Sequence, residues 1–164
     1  MRFATSALAL VASAAAVSAA TISFWTLDDV VRTIYFTPNP GYSEVAPVTC
    51  NSQQKTVVEF PDQWIGNYYA VQKGQKNVPG MLGEVNFGAW GGMTYFDVSA
   101  IVNPNDQNNV KQMYPASGKS PMSGCMVFPC NNAYYLPDEI QTKVTHEVDL
   151  ITTLGAGSTG INFS

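Results

Sequence analysis

Met81-Leu82-Gly83-Glu84-Val85-Asn86-Phe87 and Thr94-Tyr95-Phe96-Asp97-Val98-Ser99 flank the segment Gly88-Ala89-Trp90-Gly91-Gly92-Met93. Both runs carry β-branched and aromatic residues, which fit the pleated, half-buried surface of a strand. Glycines part them, so the stretch predicts strands over Gly83–Phe87 and Thr94–Val98 joined by a turn at Gly91-Gly92.

The same texture continues on both sides. Further strands are predicted over Thr21–Leu27, Arg32–Thr37, Thr56–Phe60, Asn67–Gln72 and Thr145–Leu154. Turn chemistry separates them at Pro38-Asn39-Pro40-Gly41, Pro61-Asp62, Lys73-Gly74-Gln75 and Pro79-Gly80. Many short strands at roughly ten-residue spacing argue for an all-β, antiparallel β-sandwich in a single compact domain over residues 20–154, with at most one short helix. The one helical turn expected is Pro137–Thr142, where Asp138 and Glu139 would sit at a helix start. No internal repeat is visible. Residues 155–164 read as a flexible Gly/Ser/Thr tail, and Asn162-Phe163-Ser164 is formally a glycosylation sequon.

The first 19 residues have a different character. Arg2 precedes a short apolar run, and Val17-Ser18-Ala19 supplies the small residues that signal peptidase reads. The run is too short and too alanine-rich for a membrane span, and no later segment is a candidate. The expectation is a signal peptide over 1–19 and a secreted, extracellular or wall-associated product with no membrane partner. Passage through an oxidising compartment permits disulfides. Three cysteines, Cys50, Cys125 and Cys130, leave at least one thiol free, buried or paired between chains.

Charged residues make up 12% of the chain, about half the usual share. The net charge is −4, and loss of Arg2 with the leader makes it one unit more negative. This acidic balance lacks the basic stripe that nucleic-acid binding needs. A surface low in charge and rich in Tyr, Asn, Gln and Thr suits neutral polymers such as glycans. It equally suits an extracellular domain with no such ligand.

Familiar catalytic constellations are missing. His146 is the single histidine, and His146-Glu147 has no second histidine to complete a zinc motif. One histidine among many serines indicates no catalytic triad. Asn103–Asn109 is rich in Asn and Asp but lacks the spacing and glycine of a calcium loop, so a polar loop is expected. Neither a phosphate loop nor a dinucleotide fingerprint occurs. Trp64, Tyr68 and Tyr69 are expected in the core. Trp90, in a glycine-rich turn, is the aromatic best placed to be an exposed platform for a sugar ring.

Together the run from Met81 to Phe87, Tyr95-Phe96-Asp97-Val98-Ser99, and Cys130-Asn131-Asn132-Ala133-Tyr134-Tyr135-Leu136-Pro137-Asp138-Glu139 resemble, in order and spacing, the motifs of thaumatin-like proteins. Ala20-Thr21-Ile22-Ser23-Phe24 also suits that family's opening strand. About half of the chain beyond the leader is covered, and its length is similar to the short fungal members. The resemblance implies that a disulfide-rich second lobe is missing here, leaving a Cys125–Cys130 bond as a short loop. Cys50 is then expected to be buried without a partner. Glu84 and Asp97 match two acids of the family's cleft. A third acid is replaced near Val102-Asn103, with Asp106 the nearest carboxylate, and no motif matches the cleft arginine, Arg32 being the only arginine outside the leader.

With half a cleft, Glu84 and Asp97 are expected to be a structural pair or ligand contacts rather than catalytic residues. The candidate ligand contacts are Trp90, Glu84, Asp97 and Tyr95, with no metal and no cofactor. The function implied by the resemblance is a secreted, non-catalytic protein of the fungal wall or surface. It would bind β-glucan or a host-surface protein, act in conidial germination, wall integrity or adhesion, and exist as a monomer. The alternatives are a secreted hydrolase, either a weak β-1,3-glucanase using Glu84 and Asp97 or a metal-dependent nuclease, and an antimicrobial or effector protein.

Overall fold

A computed structural model of the chain describes residues 19–161, so the expected leader, save Ala19, and the sequon at Asn162 lie outside the described residues. In chain order the strands are Ala20–Thr26 (β1), Arg32–Pro38 (β2), Val48–Cys50 (β3), Thr56–Phe60 (β4), Ile65–Gln72 (β5), Leu82–Asn86 (β6), Thr94–Ser99 (β7), Val110–Pro115 (β8), Ser123–Gly124 (β9), Lys143–Thr145 (β10) and Asp149–Leu154 (β11). They form two packed sheets, a five-stranded one in the order β4-β1-β11-β8-β9 and a six-stranded one in the order β10-β7-β6-β5-β2-β3. This is the expected all-β sandwich. Every named pairing is antiparallel except β1 with β11, which run parallel.

Alternation sets the core. Ile22 and Phe24 point inward from β1, and Ile34 and Phe36 from β2, while their strand neighbours are partly exposed. Phe24 meets the Tyr68 ring edge-on at 5.1 Å, and Phe60 lies 4.9 Å from Trp64. Such aromatic pairs add about 0.5–1.5 kcal/mol each beyond their buried area. Gly83 makes room for this cluster, because a Cβ there would stand 2.3 Å from the Tyr68 ring.

Tyr68 also links the sheets through polar chemistry. Its hydroxyl, wholly buried on β5, hydrogen-bonds the Thr152 hydroxyl on β11. Burial pushes the phenol pKa up, so the group stays neutral. Tyr68→Phe is expected to cost about 1–3 kcal/mol, because Thr152 loses its partner in a dry interior. Urea unfolding monitored by tryptophan fluorescence checks this. A loss below a few tenths of a kcal/mol would show that the hydroxyl pair contributes nothing.

Three sequence expectations change. Residues 145–154 are not one strand: β10 pairs with β7 in one sheet, and after a bend β11 pairs with β1 and β8 in the other. Pro137 and Asp138 form a turn, not a helical turn; Glu139 folds back so that its Oε2 accepts the Tyr135 and Leu136 amides at 2.6 and 3.1 Å. The only helical element among the described residues is a 3-10 turn at Trp90–Gly92. At the other end, the presumed tail starts pinned: Gly155 N–H bonds Asn109 O at 3.0 Å, and Ala156 N–H bonds Asp28 Oδ2 at 3.0 Å.

The Cys125–Cys130 disulfide is formed, with α-carbons 6.0 Å apart, and Cys50 is free and buried. Burial pushes the Cys50 thiol pKa up, so the side chain is an inert core group.

Candidate functional site

The outward face of the six-stranded sheet holds the candidate site. Register places Asn67 opposite Glu84 and Glu84 opposite Asp97. The Thr142 hydroxyl, just before β10, donates to Asp97 Oδ2 at 3.3 Å. One row across the sheet therefore reads Asn67, Glu84, Asp97, Thr142. The next reads Ile65, Asn86, Tyr95, Val144. A groove of about 240 Å³ lies over these rows, with Asn39 at its edge. A second hollow of about 310 Å³ shares Glu84, Asp97 and Thr142 with it and continues towards Ile101, Tyr134 and Pro137.

The carboxyl pair is the electrostatic centre. Asp97 is 7% exposed, and its Oδ1 is buried and receives no hydrogen bond. Burial, the neighbouring Glu84 charge and a hydrogen bond to Glu84 together raise its pKa to about 7; the Thr142 hydroxyl and Lys143 oppose this. A protonated Asp97 leaves no bare charge at the buried Oδ1. Burial beside a second carboxyl therefore favours the protonated form of Asp97 as pH falls below about 7.

Glycosidases hold their carboxyls about 5–5.5 Å apart for covalent catalysis, or about 6.5–9.5 Å apart to admit water. Glu84 and Asp97 are direct cross-strand neighbours. No group of three or more metal-ligating side chains occurs among the described residues.

Other singled-out residues have structural work. Arg32 is fully buried on the inner side of the sheet, away from the groove, and paired with Asp28. Asp106 accepts Met81 N–H at 2.8 Å and Asn109 Nδ2 at 2.7 Å, which makes 103–109 a self-satisfied polar loop. Trp64 and Tyr68 are core residues, while Tyr69 is buried on the outer face beside Tyr35. Trp90 is 83% exposed at the tip of the β6–β7 connection. It lies beyond the Asn86–Tyr95 end of the groove and lines neither hollow.

The fold and groove invite comparison with known proteins. The antigenic protein SchS21 of Stachybotrys chartarum is 64% identical over 144 residues, covering 88% of this chain and all of that protein. The chain belongs to the SchS21 family. No family model matches it. Among solved structures, the protein elicitor MoHrip2 from Magnaporthe oryzae superposes with a TM-score of 0.60 over 84% of this chain and all of that one, at 17% identity. That likeness concerns the fold alone. The Cys125–Cys130 disulfide fits a secreted product.

Of the candidate contacts, Glu84, Asp97 and Tyr95 are brought together and Trp90 stands apart. Asn39, Asn67, Asn86 and Thr142 were missed. Their signal was positional: Asn67 and Asn86 alternate with buried residues, and register sets them beside the acids. Thr142 falls in the segment misread as helical.

Proposed function

We propose that this chain is a secreted fungal surface protein of thaumatin-like type that binds a neutral wall glycan, β-glucan being the first candidate, without cleaving it. The supporting observation is the groove on the outer sheet face. Asn39, Asn67, Asn86 and Thr142 offer amides and a hydroxyl, and Tyr95 offers a ring face, around the Glu84–Asp97 carboxyl pair, in which burial favours protonated Asp97. Sugar hydroxyls need this mixture of donors and acceptors, and the apolar side of a sugar ring needs the aromatic surface. Trp90 extends the aromatic surface past the hairpin end. Roles in germination, wall integrity or adhesion follow from residence at the wall, and recognition by a host follows from exposure there, as the name of the related antigen suggests.

The test is a glycan array with purified protein, run beside pull-down on isolated fungal wall. Retention on β-glucan is expected, and Asn67→Ala or Tyr95→Ala should reduce it roughly tenfold, about 1.4 kcal/mol. No reducing ends should be released. Failure to bind any wall polymer would end the glycan reading. Sugar release abolished by Glu84→Gln would establish the hydrolase in its place.

A further inference from the structure

The outer face of the same sheet carries a further hollow, of about 360 Å³, at the β3–β2–β5 side, apart from the Asn39 groove and its neighbour. Register builds it as it builds the first. Thr49 lies opposite Thr33 and Thr33 opposite Val71, while Tyr35 lies opposite Tyr69. The Tyr35 and Tyr69 rings stack with centroids 5.6 Å apart and planes 22° from parallel. Tyr69 is held from behind: its hydroxyl donates to Asn77 Oδ1 at 3.0 Å, and its ring packs with Val71 and Leu82. Tyr35 is therefore a partly exposed ring resting on a fixed one. Around the hollow stand Thr33, Thr49, Gln72, Lys73 and Gln75.

A ring face bordered by hydroxyls and amides, with one cation, is the surface that a neutral polyol fits. An anion would call for more positive charge, and an apolar ligand would leave these polar groups unpaired. The two hollows also share a face and a strand direction. Thr33 borders one, and Asn39, six residues further along the chain, borders the other. At 3.2–3.4 Å per residue this separation is about 20 Å. Between them run Tyr35 and Thr37, which alternate with buried Ile34 and Phe36 and so face outward.

We infer that the Tyr35 hollow is a second glycan subsite, and that the outer face of the six-stranded sheet binds one extended polysaccharide chain across both hollows rather than a chain end or a small sugar. The inference rests on the glycan reading above and adds to it the length and direction of the ligand. Two subsites on one rigid face raise affinity steeply once a ligand reaches both, because the second contact becomes intramolecular.

The experiment is calorimetric titration of the full chain with β-1,3-glucan oligosaccharides of increasing length. Affinity is expected to rise by at least about tenfold once the ligand is long enough to span both hollows. Tyr35→Ala should return the long oligosaccharide to the affinity of the short one and leave the short one unchanged. If loss of the half-buried tyrosine impairs folding, the exposed-rim variant Lys73→Ala/Gln75→Ala decides instead, with the same direction and a smaller drop. Equal affinity for short and long ligands, or long-chain binding indifferent to both variants, overturns the second subsite and leaves the first groove standing. No binding at any length removes the glycan reading itself, and this inference with it.

Discussion

Arg32→Ala is expected to lower the free energy of unfolding by about 3–5 kcal/mol, the cost of breaking a buried ion pair from one side. Arg32 is wholly buried at the start of β2, and all five of its N–H donors are used. Nε donates to Asn109 Oδ1 at 3.2 Å, Nη1 to Asp28 Oδ1 at 2.6 Å and Val30 O at 2.8 Å, and Nη2 to Asp28 Oδ2 at 2.8 Å and Asn108 O at 2.7 Å. One side chain thus ties the β1–β2 turn to the 107–109 loop, and Asp28 carries the tie on to Ala156. Lysine cannot replace this fork, so Arg32→Lys should recover little of the loss. Urea denaturation read by circular dichroism measures both variants; a loss under 1 kcal/mol for Arg32→Ala would refute the role given to the fork. The pair also sets acid behaviour. Partial burial pushes the Asp28 carboxyl up, but bonds from Arg32, Ala156 and Val30 outweigh it and hold the pKa at about 2. Because this folded value lies below the unfolded one, its contribution is present above about pH 4 and lost as pH falls towards 2.

Asp97→Asn should produce the opposite pH signature. Asp97 has a folded pKa of about 7, above its unfolded value near 3.8. Between those two values the folded state keeps a proton that the unfolded state has lost. Stability therefore falls as pH rises through that window, and above pH 7 the fold carries a buried Asp97 carboxylate beside Glu84. The penalty at pH 8 is on the order of 2–4 kcal/mol. Asparagine keeps the shape and can donate to Glu84 without ionising. The variant should therefore be more stable than the parent at pH 8 by a few kcal/mol and about equal to it near pH 4. Thermal unfolding across that pH range checks the sign. A variant destabilised equally at both ends would mean that Asp97 does not hold its proton in the fold.

Much of this architecture is written in local chemistry. Thr56–Phe60 was bounded correctly because the β-branched run Thr56-Val57-Val58 and the aromatic Phe60 stand between Lys55 and Pro61. The β6–β7 hairpin was legible for the same reason. Val110–Pro115 was not: Lys111 and Gln112 make it read as polar, yet all six of its residues are buried. Tertiary partners explain this, since Lys111 Nζ bonds Gln107 O at 2.6 Å and lies 5.0 Å over the Phe128 ring. The split of 145–154 between two sheets likewise depends on a bend around His146 and on partners far away in the chain. At the groove, Glu84 and Asp97 could be singled out by motif, but their contact is a matter of register. So is the arrival of Asn67 and Asn86 beside them. The parallel pairing of β1 with β11 joins the two ends of the domain, which no local pattern can announce.

The most direct test of a non-catalytic glycan-binding face is an amide NMR titration of the full chain with a β-1,3-glucan oligosaccharide. Shifts concentrated at Asn67, Glu84, Asn86 and Tyr95, with the ligand's own signals intact over a day, are the expected result. Shifts confined to the opposite sheet, or progressive conversion of the oligosaccharide to shorter products, would contradict it.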